Sequence, residues 1–299
     1  MELAWLEDFV ALSESASFSR AAETRHITQP AFSRRVRALE DWVGTPLFIR
    51  SPQGATLTPA GEQFQRGAAG LIRSVNHLRR DAREAGNRET ATLHFAATHA
   101  LSFTFFPGWM REVERRGAIG PVRLLSDSMA ACEELMMQGQ AQFLLCHRHA
   151  LAPSKFEPRH FRSIVVGMDS LIPLVAPDEA GNARWHLEQA DLPLPLLSYT
   201  AESGLGRIVA AHHFTDRAPS LESVFSAHLA ATLLGMAREG RGIAWLPAGL
   251  AAKDMASGAL VRAGGPNWDV PIEIGLFRPA ARQSAAAERF WASLQKADA

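Results

Sequence analysis

Cysteine is nearly missing from this chain, with two in 299 residues. Two thiols cannot lay out a disulfide framework, and they fit a reducing compartment. Net charge is missing too, because Lys plus Arg and Asp plus Glu both number 31. No overall basic field is therefore present to drive nonspecific nucleic-acid binding. No stretch approaches the ~18 unbroken apolar residues that a membrane helix needs. The opening MELAWLEDF has no basic region ahead of an apolar run, so no secretory signal is expected and the compartment reads as cytoplasmic. The HExxH, P-loop and nucleophile-elbow motifs are also absent. What is there is long for one core, and a hydrophobic content of 47% supports sizeable burial in more than one domain.

The most informative stretch runs from Ser19 to Gly61 and spells a winged helix-turn-helix. A short helix around Ala21 and Ala22 leads through a turn into a second helix opening at Thr28, a good N-cap, with Pro30 in the first turn where its missing N–H costs nothing. Phe32, Val36, Leu39 and Val43 recur at spacings of 4, 3 and 4, one buried stripe. The opposite face carries Gln29, Ser33 and Arg37, flanked by Pro30 and Arg34. Glutamine and arginine offer paired hydrogen-bond geometry to base edges, while serine and arginine reach phosphates. Leu47 to Arg50 and Ala55 to Leu57 read as two wing strands around Ser51-Pro52-Gln53-Gly54, with Arg50 beside the DNA backbone. The charge is local rather than global. Residues 1–57 hold six arginines against seven acids, yet Arg34, Arg35 and Arg37 cluster on the recognition helix. Affinity should then depend on dimerisation, which doubles the phosphate contacts. A winged helix that binds protein instead of DNA is the alternative, and a gel shift negative at low salt on every promoter would favour it.

Pairing has its own signal. Phe64, Ala68, Leu71, Val75, Leu78, Ala82 and Ala85 alternate at 4, 3, 4, 3, 4 and 3, a heptad seam in a helix capped by Thr58-Pro59. The seam predicts a two-helix coiled coil and a two-fold DNA site, against the alternative of one helix packed on its own domain. It ends at the polar Gly86-Asn87-Arg88-Glu89, the domain boundary. Domains are thus expected at 1–58 (DNA-binding), 59–89 (dimerising linker) and 90–299 (effector-binding).

Beyond residue 90, short apolar runs alternate with helical patterns. Leu93 to Ala97, Val122 to Leu125 and Gln142 to Cys146 read as strands, separated by helices over Phe103 to Arg116 and Met129 to Gln138. Ile164 to Gly167, Leu171 to Ala176, Leu194 to Tyr199, Leu221 to Phe225 and Ile243 to Leu246 form a second set of strands. Its helices start near Gly206 and span Leu229 to Arg238. A strand over Pro271 to Phe277 and a helix over Ala285 to Leu294 close the chain. The alternation predicts βαβ units in a mostly parallel sheet, with two lobes at about 90–163 plus 266–299 and 164–265.

FSRAAETRHITQPAFSRRVRALEDWVGTPLFIR and LTPAG closely resemble the N-terminal domain of LysR-type transcriptional regulators, and GRGIAWLPAGLAAKDMASGALVR resembles a late segment of the same family. Ser19 to Ala22, Gln29 to Arg34 and AERFW at 287–291 resemble its hypochlorite-responsive branch. The resemblance implies an N-terminal all-α winged helix-turn-helix with a long linker helix, and a C-terminal α/β effector domain of two periplasmic-binding-protein-like lobes. It implies promoter DNA, RNA polymerase, a small-molecule effector or oxidant, and further copies of the chain as partners, assembled as a dimer of dimers. It implies no cofactor, membrane or catalysis. Motif and resemblance together place the DNA contacts at Ser19, Arg20, Thr28, Gln29, Pro30, Ser33, Arg34, Arg37 and Arg50.

In parallel α/β sheets ligands bind beyond the carboxyl ends of strands, beside helix N-termini. Those positions, which also look like effector contacts of the family, are Thr98, His99, Ser102, Ser128, Met129, His147, Tyr199, Ser203 and His228. Hydroxyls, imidazoles and apolar walls suit a small polar or weakly anionic organic molecule. His99, Cys146, His147, His149 and His228 pose the alternative of a metal site, but they have no ligand-spacing motif and none is assigned. Redox sensing is a further alternative. Cys132 near a helix start and Cys146 at a strand end project to the same pole, where a helix N-terminus lowers a thiol pKa. Methionine oxidation, at Met129 above all, is open as well. Gly204-Leu205-Gly206 opens a helix after a strand but lacks the third glycine and the acid of a dinucleotide fingerprint, so the enzyme reading is weak.

Overall fold

A computed structural model of the chain describes residues 2–51, 54–86, 92–117, 119–188, 193–212 and 221–295. Its contacts define two units, Met1–Glu89 with Met137–Gln140, and Thr90–Met136 with Ala141–Ala299. In the first, α1 (Leu3–Ser15), α2 (Phe18–Thr24) and α3 (Gln29–Val43) precede a hairpin of β1 (Phe48–Ser51) and β2 (Gly54–Leu57), and α4 (Pro59–Gly86) follows. The predicted stripe of α3 is inside. Phe32, Val36 and Leu39 are fully buried with Leu6, Phe9, Leu12 and Ala21, and Val43 packs on their edge. Gly44 ends α3 in the left-handed region (φ 84°), which a side chain would strain. The hairpin is pinned to α1, where the Ala55 amide donates to the Ala16 carbonyl. A Cβ on Gly54 would come within 2.4 Å of that oxygen, so the wing base needs glycine. Pro52 and Gln53 of the expected wing tip lie outside the described residues.

Helix α4 divides the predicted heptad seam between two surroundings. Ala68 is buried and Phe64 packs edge-on against Phe9 at 5.0 Å, both in the core of their own unit. Leu71, Val75 and Leu78 are exposed. The seam is therefore not continuous: its first turns bury against α1, and an apolar stripe of three residues stays open. The Ala85 side chain and the Asn87–Glu89 hinge lie outside the described residues.

The second unit begins with β3 (Leu93–Thr98), α5 (His99–Thr104), α6 (Phe106–Arg116), β4 (Val122–Asp127), α7 (Met129–Met137), β5 (Phe143–Arg148) and β6 (Phe161–Val175). It continues with β7 (Leu194–Tyr199), α8 (Gly204–Ala211), β8 (Leu221–Ala227), α9 (Ala230–Arg238), β9 (Ala244–Pro247), α10 (Ala248–Ser257), β10 (Val261–Arg262), β11 (Val270–Pro279) and α11 (Ala285–Gln295). The single helix expected over Phe103 to Arg116 is two. Pro107, in the first turn of α6, has no N–H for the Phe103 carbonyl, and the chain breaks at Phe105.

The sheet is mixed where a mostly parallel one was expected. β3 pairs in parallel with β4 and β5, and β7 with β8, but β11 runs antiparallel to β5 and β6, and β6 antiparallel to β9 and β10. Nor do Ile164 to Gly167 and Leu171 to Ala176 form two strands. β11 pairs with β6 from Phe161 through Leu171, absorbing a register shift at Ile274/Gly275, so the ladder carries the strand across the polar Met168-Asp169-Ser170. β6 and β11 thus cross from one lobe to the other, and no strand ends at residue 163. Lobe I packs Phe95, Phe143, Phe290 and Trp291 together, so the C-terminal α11 completes it. Lobe II is built around Trp245, Val175, Leu187 and Ile272.

Candidate functional site

On the first unit, Gln29, Pro30, Arg34 and Arg37 are exposed on one face of α3, with Ser33 half-buried beside them. Thr28 holds the N-cap backbone conformation, but its side chain makes no capping hydrogen bond. Ser19 and Arg20 are exposed in the first turn of α2, which Ser17 caps by accepting from the Arg20 amide. Of the three arginines clustered on α3 in sequence, Arg35 reaches inward to 3.6 Å from the buried Asp8, while Arg34 and Arg37 make no ion pair among the described residues. Arg50 stands over the Phe18 ring at 4.8 Å and donates to Ser33 Oγ (3.3 Å) and Glu40 Oε2 (3.5 Å). Glu40 also accepts the Leu47 and Phe48 amides, so one carboxylate ties wing to recognition helix. Sequence reading missed Glu40, and it missed the pair of Asp8 with Arg25, whose Nε donates to Oδ1 at 2.8 Å.

On the second unit, Thr98, His99, Ser128, Met129, His147, Ser203 and His228 line one narrow pocket of about 30 Å³ between the lobes, together with Asp127. That is room for about one water-sized group. Seven of the nine expected positions therefore meet. Their elements explain why: Thr98 ends β3, Ser128 and Met129 open α7, His147 lies near the end of β5, and Ser203 caps α8 by accepting the Gly206 amide. Ser102 stands behind this pocket, donating to the His99 carbonyl and accepting from Ser126, which also meets His99 Nδ1 at 3.1 Å. Tyr199 is turned away. Its hydroxyl donates to the Trp245 carbonyl and its ring packs in the lobe II core, because strand alternation at β7 sends it to the inner face. Thr98 Oγ1 and His147 Nε2 are buried with no hydrogen-bond partner among the described residues.

Cys132 and Cys146 are both free and buried. Burial pushes the Cys132 thiol up to about 12 and raises Cys146 as well, which reverses the lowering expected from a helix start. Cys132 lies a full turn inside α7, and its sulfur donates to the Asp127 carbonyl at 3.7 Å, a bond made by the neutral thiol. Met129 is buried and packs against Gly204, where an added Cβ would stand 3.1 Å from its Cγ and push the side chain aside by a few tenths of an ångström. Gly206 likewise sits against Tyr199 and Thr200, so close packing explains both glycines. His99 and His228 lie 6.1 Å apart and His149 faces His212 at 4.5 Å. Among the described residues no three His, Cys, Asp or Glu side chains are placed to hold a metal ion.

Asp169 supports the pocket from the crossover strand. Its Oδ2 lies 3.6 Å from His147 Nε2, and Oδ1 accepts the amides of Ser170 (2.7 Å) and Gly249 (3.1 Å). Burial alone would raise its pKa, but the His147 imidazole and the two amides outweigh that and hold the carboxyl below its ordinary value. A carboxyl whose pKa is lower folded than unfolded adds stability above the unfolded value, about 3.9. That contribution fades as pH falls through the folded value. Thermal melts from pH 6 to pH 3 are expected to show a steeper acid loss for the wild type than for Asp169→Asn, and parallel curves would remove this role.

Residues 3–62 match the description "Bacterial regulatory helix-turn-helix protein, lysR family", and residues 86–299 match "LysR substrate binding domain". The chain is 29% identical to the HTH-type transcriptional regulator YjiE of Escherichia coli (strain K12) over 297 residues, which covers 99% of this chain and 95% of that one. It also resembles the full-length structure of HypT from Salmonella typhimurium, a hypochlorite-specific LysR-type transcriptional regulator. That likeness has a TM-score of 0.58 at 28% identity, with 99% and 97% of the two chains covered. Vibrio fischeri DarR in complex with DNA is similar at a TM-score of 0.57 and 28% identity, covering 98% of each chain.

Proposed function

The chain belongs to the LysR family of bacterial transcriptional regulators, and from that premise we propose that a small anion held between the lobes switches its binding to promoter DNA. It is a DNA-binding regulator with an effector-binding domain, not an enzyme. The observation that carries the anion is Thr98 Oγ1, a buried polar atom with no hydrogen-bond partner among the described residues, at a pocket where His147 Nε2 has only Asp169 Oδ2 facing it at 3.6 Å. Buried polar atoms without partners call for an occupant. The N-termini of α7, α8 and α9 meet at the same place, with His99 and His228, and helix starts favour negative charge. Ser128, Met129 and Ser203 complete the contact set, and Tyr199 and Ser102 act from behind it.

The DNA contacts are Gln29, Ser33, Arg34 and Arg37 on bases and adjoining phosphates, with Ser19, Arg20, Thr28, Pro30 and Arg50 positioning the backbone. The open stripe of Leu71, Val75 and Leu78 pairs two linker helices, and dimers join into a dimer of dimers that RNA polymerase meets at the promoter. No helix among the described residues is long and apolar enough to cross a membrane, and the site of action is the cytoplasm. Lobe movement on binding would shift one dimer against the other and change DNA bending.

Melting of the full-length protein with chloride, formate and acetate tests this reading. One anion is expected to raise the melting temperature, with about 2.7 kcal/mol gained at a hundredfold excess over Kd. Thr98→Val and His147→Gln should abolish the rise. A second reading rests on Met129, whose thioether lines the pocket: oxidation there would place a polar sulfoxide oxygen among the same groups. No rise with any anion, combined with a hypochlorite effect on DNA binding that Met129→Leu removes, would replace the first reading with the second.

A further inference from the structure

Beyond the narrow pocket, a chamber of about 690 Å³ opens on the side of α7 and α8. Met129, His147 and Gly204 line both spaces and form the partition between them. Nothing in the family reading of the narrow pocket assigns this larger volume, which lies in the range of sites for small organic molecules. Its walls come from both lobes. Phe156, Phe277 and Pro271 belong to the lobe I side and the crossover strand, and Ile208 to α8.

The polar inventory is unbalanced in one direction. Arg148 gives Nε to Glu273 Oε2 at 2.6 Å and Nη1 to Ser163 Oγ at 2.9 Å, which leaves Nη2 without a partner among the described residues. Arg148 also lies over the Phe277 ring at 5.9 Å, so its free edge is set beside an apolar wall. Nδ1 of His149 accepts the Leu151 amide, which makes its other ring nitrogen the donor in the neutral imidazole. The acids are already engaged. Glu273 is held by Arg148, and Glu133 accepts both arms of Arg207 (2.6 and 3.0 Å) with Lys155 at 3.7 Å. Of these groups Arg148, Arg207 and Glu273 line the chamber, and with Arg207 taken by Glu133 behind the wall, the donor left open toward the cavity is Arg148 Nη2.

We propose that this chamber is a second small-molecule site, which takes an amphipathic monoanion: a carboxylate placed on Arg148, with an apolar body against Phe156, Phe277 and Ile208. A carboxylate matches the open Nη2 of Arg148, and a body without charge matches the wall. Because α8 contributes Ile208 and Arg207 while β5 contributes Arg148, an occupant touches both lobes at once and biases their relative position. The site is independent of the small anion in the narrow pocket and does not need it.

Calorimetric titration of the full-length protein with octanoate, octan-1-ol and acetate separates the components. Octanoate is expected to bind, with octan-1-ol at least about tenfold weaker, since a hydrogen bond to a charged group is lost. Arg148→Gln should weaken octanoate by about ten- to hundredfold while leaving DNA binding in the absence of octanoate unchanged. Ala150→Trp, which adds bulk at the exposed rim, should weaken it without touching a charge. Thr98→Val should leave it unchanged. No octanoate binding up to millimolar concentration would overturn the proposal. So would equal affinity for octan-1-ol, or loss of octanoate in Thr98→Val but not in Arg148→Gln, which would seat octanoate in the narrow pocket.

Discussion

Arg25→Ala is expected to weaken DNA binding on specific and nonspecific duplexes alike, by destabilising the first unit rather than by deleting a DNA contact. Asp8 is completely buried, and its strongest partner is Arg25, which also bonds Glu7 at 2.5 Å. After the substitution only Arg35 remains, at 3.6 Å from Oδ2, too long for a hydrogen bond. Leaving a buried carboxylate with so little compensation costs about 3–5 kcal/mol. Domains of this size hold roughly 5–15 kcal/mol in total, so the loss takes a large share of the stability and lowers the melting temperature by many degrees. Replacing both members, as in Asp8→Leu with Arg25→Leu, should recover most of the stability because no charge is then stranded. Urea denaturation of the single and double variants gives the coupling directly. A single variant within about 0.5 kcal/mol of wild type would show that solvent reaches Asp8 and that the pair is unimportant.

Arg34→Ala is expected to act in the opposite way, leaving the fold intact and removing specificity. Arg34 is exposed, on the same face as Gln29 and Arg37, and makes no ion pair among the described residues, so nothing in the fold depends on it. A bidentate arginine–base contact discriminates by about 1–3 kcal/mol. Two half-sites on one dimer double this to roughly 2–6 kcal/mol, about thirtyfold to twenty-thousandfold in affinity for the cognate promoter. Arg50→Ala should weaken every sequence alike and by less, because Arg50 is held by Ser33 and Glu40 beside the backbone rather than free to read bases. Fluorescence anisotropy on promoter and scrambled duplexes at two salt concentrations distinguishes the two. Equal losses on both duplexes for both variants would contradict these roles.

Legibility followed distance along the chain. The α3 stripe and its polar face were readable because both are set by a 3.6-residue period within fifteen residues. The strand-end rule found seven pocket positions because it depends only on where short apolar runs stop. Tyr199 obeyed that rule in sequence and escaped it in space, since the same strand end can face the core or the cleft. The heptad in α4 was real as periodicity, but periodicity does not say what covers a stripe. Phe64 and Ala68 pack in the core of their own unit, while Leu71, Val75 and Leu78 stay exposed.

The sequence by itself therefore determined the family, most of the helices and strands, the buried and polar faces of α3 and the pole at which the lobes meet. Only the tertiary structure decided that Arg35 turns inward to Asp8 while Arg34 stays free, that β6 and β11 run antiparallel across both lobes, and that both thiols are buried beyond easy ionisation. Local patterns record which residues leave water, because burial repeats with the period of the helix or strand. Which partner each buried group finds depends on segments as distant as Gln142 and Ser284, and that choice is made by packing the whole chain at once.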